Sequence, residues 1–264
     1  NRIIYYRNNA KKKFLHTIEN IVNTLISYNK VYNFNITKQQ EKISVLMPVY
    51  NREKFVGEAI ESILNQTYKN FDFLIYDDGS TDNTLAILEK YANIDNRIKL
   101  FHNDTNIGGI YAKQKLLDLC ETKIACWMDS DDVCHPERLE KQLKFIKRGL
   151  VYCYFKYLLK KDNNTWIMGS KIITIKCLSS AMFFVTKHIK MDLQNILWGS
   201  SKWFNQMESF FPKYIIIKEP LYYYRIHDEN TIKIKKIVDK YKININVNSF
   251  SELLQLLQNE KFNK

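Results

Sequence analysis

Between residues 43 and 136, short apolar runs alternate with stretches whose apolar residues recur at helical spacing. Ile43-Ser44-Val45-Leu46-Met47 is an uninterrupted apolar run halted at Pro48, which predicts a buried strand ending in a loop. Phe55, Val56, Ala59, Ile60, Ile63 and Leu64 then follow the three-four spacing of a helix over 53–65. The same alternation predicts strands at 71–76, 98–101 and 123–128, and helices at 81–91, 110–120 and from Pro136 onward. Ser80 or Thr81 is the expected cap of the second helix.

Strands alternating with helices imply a mainly parallel sheet covered on both faces. In such sheets ligands bind beyond the carboxyl ends of the strands. Three polar clusters follow apolar strands here: Tyr50-Asn51, Asp77-Asp78 and Asp129–Asp132. They are expected to converge on one edge.

After Gly149 the alternation weakens. Segments 151–159 and 171–185 read as strands, the second broken near Leu178-Ser179-Ser180. A helix is expected around 202–211, then strands over 213–226 interrupted by Pro220, and a short amphipathic helix over 250–257. Ahead of the main pattern, Lys11-Lys12-Lys13 precedes an apolar helical stripe from Phe14 to Ile26. That stripe suits a helix packed on a core or on a further domain, or one lying on a membrane surface.

The chain has 264 residues, enough for one large domain or one domain with an appendage. Its 45% hydrophobic content supports a sizeable core and excludes wholesale disorder. No run reaches the length of a transmembrane helix, and Asn1–Ala10 lacks the apolar region of a signal peptide. A start at Asn1 rather than Met is what a fragment of something longer would show. The five cysteines are odd in number and form no CxxC pair, the usage of reduced thiols in a cytoplasmic protein. The formal charge of +12 favours an anionic partner, whether nucleic acid, membrane surface or nucleotide.

Asp129-Ser130-Asp131-Asp132 places three carboxylates within four residues after an apolar strand. Such a cluster is tolerable when solvated, paired with bases, or bound to a hard divalent cation with substrate phosphates. A solvated acidic turn before a helix fits the same residues. Asp78 at a strand end suits a base N–H or a ribose hydroxyl, while a turn followed by an Asp82 cap explains its neighbours equally well. Asn106-Ile107-Gly108-Gly109 permits close backbone approach to a ligand but is neither a dinucleotide fingerprint nor a P-loop.

Four segments in this order, ISVLMPVYN (43–51), FDFLIYDDGSTDNT (71–84), Asn106–Gly109 and WMDSDDVCHPERL (127–139), resemble the nucleotide-sugar half of the inverting GT-A glycosyltransferases of family 2. The resemblance covers about 43–148, with a weaker echo to about 230. It implies an α/β GT-A fold: a Rossmann-like nucleotide-binding half over 43–148 and a smaller acceptor-binding half over 149–230. An N-terminal helical extension over 1–42 and a basic tail over 231–264 would flank it.

The resemblance also implies roles. Pro48, Val49, Tyr50 and Asn51 would line the nucleotide pocket, and Asp78 would bind the base, most often uracil. Asn106, Gly108 and Lys113 would lie near the nucleotide. Asp129, Ser130 and Asp131 match the DxD signature, with Asp131 or Asp132 ligating Mn²⁺ or Mg²⁺ and Asp129 facing the ribose or the metal. His227, in Tyr222-Tyr223-Tyr224-Arg225-Ile226-His227, would reach the metal or the diphosphate, and Arg225 would pair with phosphate. The tyrosines read as core and acceptor-site wall.

One departure stands out. The family's catalytic carboxylate falls on Ser200 or Ser201, and a serine hydroxyl is far too weak a base to replace it. Three accounts remain. Glu208 or Asp192 supplies the carboxylate, the position has been altered so as to disable catalysis, or the chain binds sugar nucleotide without efficient transfer. The expected partners are a nucleotide-diphosphate sugar, with a UDP-linked donor expected, and a saccharide acceptor on a glycan, lipid or protein. A peripheral membrane contact, a further domain or a second copy are open to the flanking segments. Nucleic-acid binding rests on charge alone, since no motif of that class is present.

Overall fold

The computed structural model describes residues 41–160, 165–169, 172, 178–185, 211, 213–227, 242–247 and 249–259. The expected segment 1–42, apart from its last two residues, the expected helix at 202–211, apart from Phe211, and Asp192, Ser200, Ser201 and Glu208 lie outside them.

The first half is built from β1 (Ile43–Val49), α1 (Val56–Leu64), β2 (Phe71–Asp77), α2 (Thr84–Ile94), β3 (Ile98–His102), α3 (Gly109–Asp118) and β4 (Ile124–Trp127). β1 pairs in parallel with β2 and β4, and β2 with β3. Burial on both faces explains why β1, β2 and β4 read as continuous apolar runs. α1 buries Val56, Ala59, Ile60 and Ile63, the stripe its spacing predicts.

α2 starts at Thr84, three residues later than the expected start at 81. Ser80 and Thr81 are taken by other work, described below, and Asp82 instead accepts the Thr84 N–H at 2.9 Å. β1 also runs through Pro48 to Val49 rather than stopping there. Leu46 is the last β1 residue paired with β4, and its carbonyl accepts the Met128 N–H at 3.0 Å. The backbone groups of a strand alternate sides, so the missing N–H of Pro48 falls on the β4 side, where pairing has already ended. β1 and β4 separate at that point.

The second half adds β5 (Val133–Cys134), α4 (Arg138–Leu143), β6 (Leu150–Lys160), β7 (Thr165–Gly169), β8 (Met182–Phe184), β9 (Tyr214–Arg225), β10 (Lys242–Asn246) and α5 (Phe250–Asn259). Antiparallel pairs gather here: β8 with β4 and β6, β7 with β6 and β10, and β5 with β9. The described strands form one ten-stranded mixed sheet, ordered β10-β7-β6-β8-β4-β1-β2-β3, with β9 beside β5 and β6. β9 is a single strand and is not interrupted at Pro220. Its pairing with β6 slips between Ile217 and Tyr222, and Pro220 occupies that bulge, where a missing N–H is tolerated.

Part of 231–264 joins this fold. β10 pairs with β7, and α5 packs Leu253, Leu254 and Leu257 against Val133, Leu158 and Tyr223. His135, one residue past β5, holds the end of that helix, its Nε2 lying 2.8 Å from the Leu257 carbonyl. Among the described residues Cys126, Cys134 and Cys153 are buried free thiols, and burial pushes the Cys126 thiol up to about 12.

Candidate functional site

A cleft of about 330 Å³ opens where β1 and β4 part, at the carboxyl ends of β1, β2 and β4. Pro48, Val49, Tyr50, Arg52, Asp78, Lys113, Asp129, Ser130 and Asp131 line it, together with Gly109, Ala112 and Tyr224. The three polar clusters singled out in the sequence therefore do converge on one edge.

Beside the cleft two loops cross. Asn51 sits at φ 50°, a left-handed conformation that Asn adopts more readily than most residues. Its N–H donates to Ser80 Oγ at 2.9 Å, and its Oδ1 accepts the Thr81 N–H at 2.8 Å. Gly79, at φ 72°, brings the loop so close to Thr105 that a Cβ would lie 2.6 Å from the Thr105 carbonyl carbon. Asp77 is fully buried beneath, accepting from the Ser80 N–H at 3.2 Å and the Ser80 hydroxyl at 2.5 Å, with His102 Nδ1 at 2.9 Å. Asn51 thus stitches the loops together rather than lining the cleft.

Asp78 faces the cleft and is only 2% exposed. Its two oxygens accept the N–H groups of Ile107 and Gly108, each at 2.9 Å. Each carboxylate oxygen has further acceptor capacity, so Asp78 holds the glycine loop and can still receive a ligand donor. Gly108, at φ 98°, turns the chain into α3, whose first residue Gly109 borders the cleft with its N-terminal dipole. Asn106 is exposed and does not line the cleft. One turn along α3, Lys113 Nζ stands 3.8 Å from Asp129 Oδ1 and 5.7 Å from the centre of the Trp127 ring.

The acidic loop divides its carboxylates. Asp129 receives the Ser179 hydroxyl, and its N–H donates to Tyr222 Oη at 3.2 Å. Asp131 points into the cleft, where Arg52 Nε donates to its Oδ2 at 3.2 Å and His227 Nε2 lies 3.2 Å from the same oxygen. Burial pushes the Asp131 carboxyl up, but the His227 hydrogen bond and the Arg52 and His227 charges outweigh it, and the net direction is down. Asp132 turns the other way. It is fully buried, and its oxygens take the Tyr222 hydroxyl at 2.6 Å and the Arg225 N–H at 2.9 Å. Burial, then the neighbouring Asp131 and Asp129, hold its carboxyl well above the usual range.

Of the two aspartates given to the metal in sequence, the structure brings Asp131 to the cleft beside His227 and places Asp132 in the framework. Arg225 does not face the cleft either. It is 1% exposed, and its Nη1 lies 2.5 Å from Glu58 Oε2. Glu208 and Asp192, offered as bases, lie outside the described residues.

Two contributors escaped the sequence reading. Arg52 carries a signal in retrospect, since it directly follows the Tyr50-Asn51 strand end. Arg138 carries none. It is fully buried and donates to the carbonyls of Trp127 and Ser179, both at 2.8 Å, tying the end of β4 to the residue that holds Asp129.

Asp131 and His227 could hold a divalent cation if a substrate completed its coordination. Such ions are commonly held by one or two protein groups plus phosphate oxygens. Asp131 lines the cleft with His227 Nε2 3.2 Å from its Oδ2, and no group of three or more protein ligands is present among the described residues. The residues fit a cation completed by a ligand.

Known proteins resemble this chain. It is 32% identical over 131 residues to the putative teichuronic acid biosynthesis glycosyltransferase TuaG of Bacillus subtilis, which spans 49% of this chain and 52% of that protein. The chain spans about half or less of the length of the first curated relatives it matches, 40% to 52%. The S. aureus TarS structure in complex with UDP covers 70% of this chain and 60% of its own, with 21% identity and a TM-score of 0.56. A mannosyltransferase from Pyrobaculum calidifontis in complex with GDP-Man and Mn²⁺ covers 81% of this chain and 68% of its own, with 15% identity and a TM-score of 0.53. These likenesses show the GT-A fold. Residues 44–209 match the family model for glycosyl transferase family 2, and the chain belongs to that family.

Proposed function

We propose that this chain transfers a sugar from a nucleotide-diphosphate sugar, UDP-linked, to a saccharide acceptor in glycan biosynthesis, with inversion and with the aid of a divalent cation. The observation that carries this reading is the convergence of Tyr50, Asp78, Lys113, Asp129 and Asp131 in one cleft beyond the strand ends. Tyr50, 41% exposed at the rim, offers a face to a base, and Asp78 offers carboxylate oxygens to its N–H groups. Lys113, Arg52 and the α3 N-terminus border the same cleft and would attract a diphosphate.

Asp131 and His227 would hold Mn²⁺ or Mg²⁺, which supplies Lewis-acid stabilisation of the leaving diphosphate. Support for a divalent ion also comes from the Pyrobaculum mannosyltransferase, and for a uridine nucleotide from TarS, solved with UDP and with UDP-GlcNAc. Inversion requires a base for the acceptor hydroxyl, a role we assign to Glu208 or Asp192. A second reading, a sugar-nucleotide binder without transfer, is favoured by one observation: serine stands at 200 and 201. No helix among the described residues is long and apolar enough to cross a membrane. Docking at a membrane surface would fall to the basic N-terminal stripe.

Calorimetric titration of UDP and GDP, with and without Mn²⁺, followed by donor hydrolysis, tests this reading. Metal-dependent UDP binding that is lost in Asp131→Ala, with sugar release, is the expected result. The same binding without release, and release gained in Ser200→Asp or Ser201→Asp, would establish the silent binder. No nucleotide binding would sink both.

A further inference from the structure

Arg52 is held from behind. Its N–H donates to Thr84 Oγ1 at 2.7 Å, and its Nη1 donates to the carbonyl of Asn51 at 2.9 Å, a carbonyl fixed by the left-handed backbone of Asn51. From that anchorage its Nε reaches Asp131 Oδ2, the oxygen that His227 Nε2 also faces. Two nitrogens therefore crowd one oxygen of the carboxylate assigned above to a divalent cation. Metal–oxygen bonds of about 2.0–2.6 Å leave little room for a guanidinium on the same lone pairs. A dication and a guanidinium beside one carboxylate also repel each other.

We propose that Arg52 is a built-in stand-in cation. It neutralises Asp131 in the ligand-free protein, gives way when a divalent ion binds, and passes to the diphosphate of the nucleotide. The inference rests on the metal-dependent reading above. The side chains are 24% exposed for Arg52 and 18% for Asp131, so the guanidinium can swing into the cleft without opening the core. Its planar fork matches phosphate oxygens better than a lysine does. The diphosphate draws Arg52 off Asp131, and so nucleotide and metal each raise the affinity of the other, by the same factor.

The test is Mn²⁺ titration of the full chain, followed by the electron paramagnetic resonance signal of free Mn²⁺, with and without UDP. Without nucleotide, Arg52→Gln is expected to bind Mn²⁺ about tenfold tighter than the unaltered chain. With saturating UDP that gain disappears or reverses, because the contact of Arg52 with phosphate is lost. A side chain serving only to brace the loop would leave Mn²⁺ binding unchanged or weaker in the variant, with or without UDP, and that outcome overturns the proposal.

Should Arg52→Gln fail to fold, Arg52→Lys carries the test. A single ammonium cannot hold both the Asn51 carbonyl and Asp131 as the fork does, so Mn²⁺ is expected to bind at least about threefold tighter. Equal or weaker binding overturns the proposal there too. Mn²⁺ binding by the unaltered chain alongside an unresponsive variant removes the stand-in role and leaves the metal-dependent reading intact. No Mn²⁺ binding by any of the proteins, even with UDP or GDP, overturns both.

Discussion

The loops after β2 and β4 are built to the same plan and supported by different means. Each strand end carries two adjacent carboxylates, one turned into the cleft and one into the framework: Asp78 and Asp77 at the end of β2, Asp131 and Asp132 after β4. In the first loop the framework partner is held by Ser80 and by His102 on the neighbouring strand β3. In the second it is held by Tyr222 and Arg225, 90 or more positions away on β9. The cleft-facing members differ as well. Asp78 is pinned by two backbone N–H groups, whereas Asp131 is met by the side chains of Arg52 and His227. A base-sized group would thus meet a fixed acceptor. A charged, exchangeable group would meet a carboxylate whose partners can be traded.

The sharpest way to break this comparison is to remove the distant support. Asp132→Ala leaves the Tyr222 hydroxyl and the Arg225 N–H without their acceptor, and is expected to cost about 3–5 kcal/mol in urea unfolding. A cycle with Tyr222→Phe should show clear non-additivity. Strict additivity would mean that the acidic loop does not depend on β9.

Asp77→Ala removes the local support, and about 2–3 kcal/mol is expected by the same measurement. Its coupling to Tyr222→Phe should be close to zero.

Smaller again is the stitch between the loops. Asn51→Ala loses both the side-chain bonds and the tolerance of φ 50°, at about 1–2 kcal/mol, while Asn51→Gly keeps the conformation and should cost less. The reverse order in thermal unfolding would show that the conformation carries no cost.

The last test concerns pH in metal-free protein. The folded pKa of Asp131 is lowered, so its contribution is present above the usual carboxylate range and is lost as pH falls through the folded value. The folded pKa of Asp132 is raised, so stability declines as pH rises from the usual range to the raised value. Asp131→Asn should therefore lose ground against the unaltered chain as pH rises toward about 4, whereas Asp132→Asn should gain ground as pH rises above about 4, each by under about 1.4 kcal/mol per unit. Parallel slopes in chemical denaturation would contradict the opposed settings of the two carboxylates.

Legibility in the sequence followed the same divide. β1, β2 and β4 were readable because strands buried on both faces are continuous apolar runs, and α1 because it buries one stripe. The α2 start was misplaced because Ser80 and Thr81, good caps by composition, serve Asn51 and Asp77 instead. The carboxylate clusters marked the cleft correctly, but spacing could not say which member turns inward. For Asp132 that answer lies in Tyr222, and no local pattern points to it. β9 runs on past Pro220 because a bulge absorbs the proline, which hydrophobic alternation does not reveal.

Pro48 has a consequence for binding. Without an N–H on its β4 side, Pro48 cannot donate the next ladder bond to β4, which favours the parting of the two strands at the cleft. A nucleotide entering between β1 and β4 breaks no strand pairing, so its apparent affinity carries no penalty for separating those two strands.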